Sequence, residues 1–186
     1  MLAHENSKAN QERVAKEKKN EDQQLYPNQT YADIWCQSFG KEEICMHYFG
    51  AAHTNGDSFV HFKKANIVHT GDLVFNRRHP FVDRSAGANI KSWIKVLDKA
   101  ATTFNNKTIF VCGHAADGYD IVVTKDDIAA FSNYLSKTLI FVDAQIKAGK
   151  TKEEILKATE IPGAPEWKGD GIERPLTAAF EELSNG

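Results

Sequence analysis

Three residues with metal-ligand chemistry stand beside glycines in β-rich surroundings: His53 in AHTNGD, Asp72 in HTGD and His114 in VCGH. His53 follows the apolar run ending near Phe49, Asp72 follows the run 66–70 and His114 follows 108–112, so each is expected just past a strand end. In a layered α/β arrangement such positions gather on one edge of the sheet, where these folds place ligands and chemistry. Two imidazoles and a carboxylate on one edge form the donor set of a zinc or other transition-metal site. Each residue also has a plainer reading. Asn55-Gly56 is a two-residue hairpin signal that makes His53 incidental, Asp72 can cap a turn after Gly71, and His114 can be a satisfied core histidine. The joint occurrence of all three favours the metal reading.

Neighbouring residues extend the pattern. Asp57 can accept a hydrogen bond from His53 and fix its tautomer, or simply cap the turn. His69 alternates with Val68 on a strand and reads as core or as support for the ligands. Arg77 and Arg78, in the NRRHPF loop after Asp72, can clamp a substrate carboxylate or phosphate, although such loop runs are more often simply solvated. His4 and His47 carry no ligand argument.

The elements that must position these residues are legible as patterns. Strands are expected at 31–39, 43–49, 58–62, 66–70 and 108–112, in one mainly antiparallel sheet. A helix over 90–104 presents Ile90, Trp93, Ile94, Leu97, Ala101 and Phe104 on one face, and a second runs from about 126 to 147 behind Thr124. Both should pack on the same face of the sheet. A third opens at the capping box Thr151-x-x-Glu154 and ends before Pro162, and the stretch 174–183 can form one more. Residues 8–22 alternate charges with Val14 as their only branched aliphatic, which reads as a solvated helix or mobile arm. The expected division is therefore a charged helix or arm over 1–30 and a domain, or half of one, over 31–186.

Composition narrows the function classes. With 186 residues, 41% hydrophobic and 26% charged, the chain is an ordinary globular domain. A formal charge of −2, with the signs interspersed, gives no basic footprint for nucleic acid. No run reaches the ~20 apolar residues that span a bilayer. The polar start is no secretory signal, so the chain as it stands reads as cytoplasmic, an address that an upstream segment would change. Cys36, Cys45 and Cys112 have neither zinc-knuckle nor C-x-x-C spacing and read as buried thiols.

The stretch AAHTNGDSFVHFKKANIVHTGDLVFNRRHPFVDRSAGANIKSWIKVLDKA, followed by IFVCGHA and AGKTKEEI, resembles the C-terminal half of a metallo-β-lactamase-fold hydrolase. The resemblance covers roughly residues 1–160. It implies an αββα sandwich, of which this chain supplies one sheet and its flanking helices. It also implies one or two zinc ions, with iron or manganese as alternatives. His53 would be a ligand of the first metal, Asp72 the ligand bridging both and orienting the hydroxide, and His114 a ligand of the second. The family's zinc β-lactamases have cysteine where Asp72 stands, so the resemblance points to the wider group that cleaves esters, thioesters, phosphodiesters or sulfate esters.

The family's first motif, H-x-H-x-D-H, does not occur in these 186 residues, and its four ligands are absent with it. Two functions follow. One is a metal-dependent hydrolase acting on a small molecule, present as an incomplete C-terminal portion. The other is a silent half-domain serving as an interaction or regulatory module. On either reading, half a sandwich leaves a sheet face open, so the missing N-terminal half, a second copy or the segment 1–22 is expected to cover it.

Overall fold

The computed structural model describes residues 1–184. The chain opens with β1 (Leu2–His4), α1 (Glu5–Lys18) and β2 (Gln29–Tyr31), and the two strands pair in parallel as a small separate sheet. The main sheet follows, in the order β3 (Ile34–Phe39), β4 (Glu42–His47), β5 (Phe59–Phe62), β6 (Ile67–Asn76), β7 (Ile109–Ala115) and β8 (Val122–Val123). Every neighbouring pair in it is antiparallel except β6 and β7, which are joined by the crossover helix α2 (Ile90–Thr103). A parallel pair needs such a crossover, because no tight turn can return the chain to the same end of the sheet.

α2 and α3 (Lys125–Lys147) lie side by side on one face of the sheet, as the apolar stripes require. Asn89 accepts from the Ser92 amide to start α2, and a reciprocal Thr124–Asp127 capping box starts α3. The core between helices and sheet is aromatic: Trp93 and Phe131 meet edge to face at 5.4 Å, and Phe75 lies 6.4 and 6.0 Å from them. The Trp93 indole N–H donates to the Leu73 carbonyl at 2.9 Å, fastening α2 to the residue after Asp72. The short helix α4 (Lys152–Ile155) begins at the expected Thr151–Glu154 box, and α5 (Glu173–Ser184) closes the described chain. No helix among the described residues is long and apolar enough to cross a membrane.

The structure corrects four expectations. Asn55-Gly56 is not a hairpin turn: β4 and β5 are joined by the long loop 48–58, and Gly56 has no positive φ. Second, residues 5–18 form a helix, one of the two expected forms, but not a free arm. Asn6 and Ser7 donate to the Asn55 and Gly56 carbonyls, and Asn10 to the Asn55 side chain, each at 2.8 Å. A Cβ at Gly56 would stand 2.6 Å from the Ser7 backbone nitrogen, which is why that approach takes glycine. Third, Cys36 and Cys45 are not thiols. They sit directly opposite each other in the β3–β4 hairpin, closed by Gly40-Lys41, and form a disulfide, whereas Cys112 keeps its buried thiol. Fourth, the strand expected at 66–70 runs on to Asn76, so Asp72 lies within β6, and His114 lies within β7.

The face of the sheet turned away from α2 and α3 is strongly apolar. Register sets Trp35, Met46, Val60, His69, Val111 and Val122 in one row across the six strands. Ile44, Phe62, Ile67 and Ile109 form the next row. None of these is fully buried, and Ile109 and Val122 are about half exposed, at 46% and 52%.

Candidate metal centre

β6 breaks its pairing with β7 between His69 and Gly71 and again between Gly71 and Phe75. Asp72 falls inside that irregularity, with Gly71 in the left-handed region at φ 52°. Its carboxylate is thereby turned toward β7, where a Cβ at Gly113 would overlap Asp72 Oδ1 and approach the Gly71 carbonyl oxygen to 2.9 Å. Glycine at 113 is a steric condition for this placement.

The carboxylate lies between two imidazoles. His53 Nε2 is 3.6 Å from Oδ2, and His114 Nε2 is 3.4 Å from Oδ1, so each oxygen faces a different ring. His53 comes from the loop after β4, Asp72 from β6 and His114 from β7. The cleft opens from one side to the other: the side chains of His53, Asp72 and His114 are 13%, 34% and 44% exposed.

Phe75 positions both rings. It is the register partner of His114 and stacks on it at 5.1 Å, and it lies 6.2 Å from His53. Trp93 and Phe81 complete the box around His53, at 6.0 and 6.1 Å. On the far side of that ring, Asp57 Oδ1 is 3.4 Å from Nδ1, while Asp57 Oδ2 accepts from the Thr54 amide and hydroxyl at 2.6 and 2.5 Å. This arrangement leaves Nε2 as the donor atom facing Asp72. Burial works against a charged His53, but the hydrogen bond and charge of Asp57, aided by Asp72 and Asp83, hold its pKa above the usual histidine value. Burial also opposes the Asp57 anion, and its bonds to His53 and Thr54 hold its pKa below the usual range nonetheless.

The remaining candidates are placed differently. His69 is exposed and accepts from the Gly71 amide at 3.1 Å, bracing the turn before Asp72. Arg77 is engaged away from the cleft: its guanidinium bonds Asp127 and Asn76, both at 3.1 Å, and lies 5.0 Å from the Trp167 ring and 5.7 Å from Tyr119. Arg78 is exposed and lines a recess of about 280 Å³ with Ala115, Asp117, Lys168 and Asp170. Phe75 and Gly113 escaped the sequence reading, because their roles arise from pairing across β6 and β7 and not from any local motif.

The donor chemistry fits a transition metal. Imidazole nitrogens and carboxylate oxygens suit zinc, iron and manganese, and the glycine cradle at 113 keeps the shared carboxylate between the rings.

The chain carries the metallo-β-lactamase fold. It superposes on a metallo-β-lactamase from Pontibacter korlensis with a TM-score of 0.57 at 17% identity, over 73% of this chain and 57% of that one. It also superposes on the sec-alkylsulfatase Pisa1 from Pseudomonas sp. with a TM-score of 0.65 at 13% identity, over 84% of this chain and 26% of that one. In sequence it is 28% identical over 75 residues to metallo-β-lactamase IND-1 of Chryseobacterium indologenes, a match covering 40% of this chain and 31% of that protein. The match thus spans about a third of the length of that curated relative. No family model matches the sequence.

Proposed function

We propose that this chain is the C-terminal portion of a metal-dependent hydrolase, with His53, Asp72 and His114 as its share of the ligands. The observation that carries the reading is the Asp72 carboxylate, with one oxygen turned to each imidazole at 3.6 and 3.4 Å. A bound zinc, or iron or manganese in its place, supplies Lewis acidity toward a carbonyl, phosphoryl or sulfuryl oxygen and a water of lowered pKa. The chain's own residues hold and orient: Asp57 keeps the His53 proton on Nδ1, Phe75 fixes both rings, and Asp72 is shared between two positions. His69 supports the Asp72 turn. The substrate class is an ester, thioester, phosphodiester or sulfate ester. Of the two candidate arginines, exposed Arg78 is the one proposed to meet a substrate anion, since Arg77 is bonded to Asp127.

Each ion would draw only two ligands from this chain, fewer than the three protein ligands usual for a catalytic zinc. The apolar open face of the sheet takes a second sheet carrying the remaining ligands. The residues 1–30 then act as an outer arm holding the His53 loop of a 31–186 half-domain. A second reading, a silent interaction module, draws on the same open face.

Supplying a companion segment with an H-x-H-x-D-H motif in trans tests the proposal. Zinc-dependent hydrolysis of an ester, thioester, phosphodiester or sulfate ester panel should arise only from the pair. It should drop at least about 100-fold in Asp72→Asn, as for loss of a group acting directly at the metal. Turnover unaffected by Asp72→Asn would overturn it, and inert binding of the companion would favour the module.

A further inference from the structure

We propose that the Cys36–Cys45 disulfide masks a second, thiolate metal site on the outer strands of the sheet, opened by reduction and taking a zinc-like divalent ion. Cys36 and Cys45 face each other across β3 and β4, and Glu43, two residues before Cys45, presents its carboxylate on the same face. The two sulfurs and a Glu43 carboxylate oxygen all lie within 4.8 Å of one another. A candidate fourth donor stands on the next strand, outside that 4.8 Å group. His61 is the direct cross-strand partner of Cys45, and its Nε2 is buried without a hydrogen-bond partner among the described residues. Two thiolates, a carboxylate and an imidazole are a donor set that four-coordinate zinc accepts. This cluster lies on β3, β4 and β5, whereas Asp72 and His114 lie on β6 and β7.

The chemistry balances with a named reductant. A phosphine or dithiol delivers two electrons to the S–S bond, each sulfur takes up a proton, and the incoming ion releases those two protons as it binds the thiolates. Lys63 opposes the site, since its Nζ pairs with Glu43 Oε2 at 2.5 Å. Releasing that carboxylate should therefore tighten binding.

Cobalt(II) titration of the full chain under anaerobic conditions, before and after reduction by a phosphine, tests the proposal. The reduced chain should gain a near-ultraviolet thiolate-to-cobalt charge-transfer band saturating at one ion, and the oxidised chain should show none. Histidine and carboxylate ligands produce no such band, so the result is independent of the His53 centre. Glu43→Gln should weaken binding at least about tenfold, the loss seen even for residues that only support a ligand, and Lys63→Met should strengthen it. A reduced chain without the band overturns the proposal. So does a band that survives in the Cys36→Ser, Cys45→Ser double variant, which would trace it to Cys112. The comparison of oxidised and reduced wild-type chain stands even if that double variant fails to fold.

Discussion

At the residue scale, the centre depends on shape as much as on ligand type. Gly113 illustrates this, because no side chain fits between its backbone and the Asp72 carboxylate. Gly113→Ala should displace the carboxylate, weaken zinc binding at least about tenfold and cost about 1–3 kcal/mol of stability, the usual range for overpacking. Calorimetric zinc titration and urea unfolding check both effects. Histidines elsewhere set a pH dependence. Burial holds the pKa values of His79, His47 and His61 below the usual value near 6.5, and His79 Nδ1 is 2.7 Å from the buried Tyr134 hydroxyl. Below about pH 6.5 the unfolded chain takes up these protons first, so the stability is present above that value and lost as pH falls through the folded values. His53 has the opposite shift, but its contribution is complete below about 6.5 and falls only as pH rises through its folded value, so it leaves the acid limb unchanged. Urea midpoints should drop between about pH 6.5 and 5, and His79→Asn should flatten that slope. A midpoint that rises on acidification would contradict the account.

At the element scale, helices read out of the sequence more faithfully than the sheet did. The stripes of α2 and α3 place Ile90, Trp93, Leu97, Ile128, Phe131, Leu135 and Val142 in the core, because a period of 3.6 leaves few alternatives for a long segment. The proposed ligands His53, Asp72 and His114 were legible as candidates from residue type and flanking glycines. Their mode of support was not, since the irregularity at Asp72 and the Phe75–His114 pairing exist only between strands far apart in sequence. The Cys36–Cys45 bridge was hidden for a related reason: the pairing follows only once Gly40-Lys41 is seen to close a two-residue loop. Long-range polar contacts were equally silent. Glu182 on α5 is buried and accepts from the Ile90 and Lys91 amides at 2.7 and 3.0 Å, capping α2 across the molecule. Glu182→Ala should cost about 1–3 kcal/mol by leaving buried amides without an acceptor. That loss should lower the melting temperature by several degrees in differential scanning calorimetry.

At the scale of the whole molecule, the helix-covered and open faces of the sheet call for different partners. The segment 1–22 was one expected cover for the open face, but α1 is spent on the His53 loop, bonded to Asn55 and Gly56. Leaving about 400 Å² of that face in water forgoes on the order of 10 kcal/mol, comparable to a domain's net stability. The isolated chain should therefore self-associate at micromolar concentration in sedimentation velocity, and Val60→Lys, in the middle of the apolar row, should shift it toward monomer. A folded wild-type monomer under those conditions would refute this.

The central claim, that His53, Asp72 and His114 act together as metal ligands, is met most directly by calorimetric zinc titration of the chain with its Cys36–Cys45 bridge intact. The account predicts saturable binding that Asp72→Asn weakens at least about 100-fold, while Asp117→Asn, in the nearby recess, leaves it unchanged. Equal zinc affinity in wild type and Asp72→Asn would contradict it.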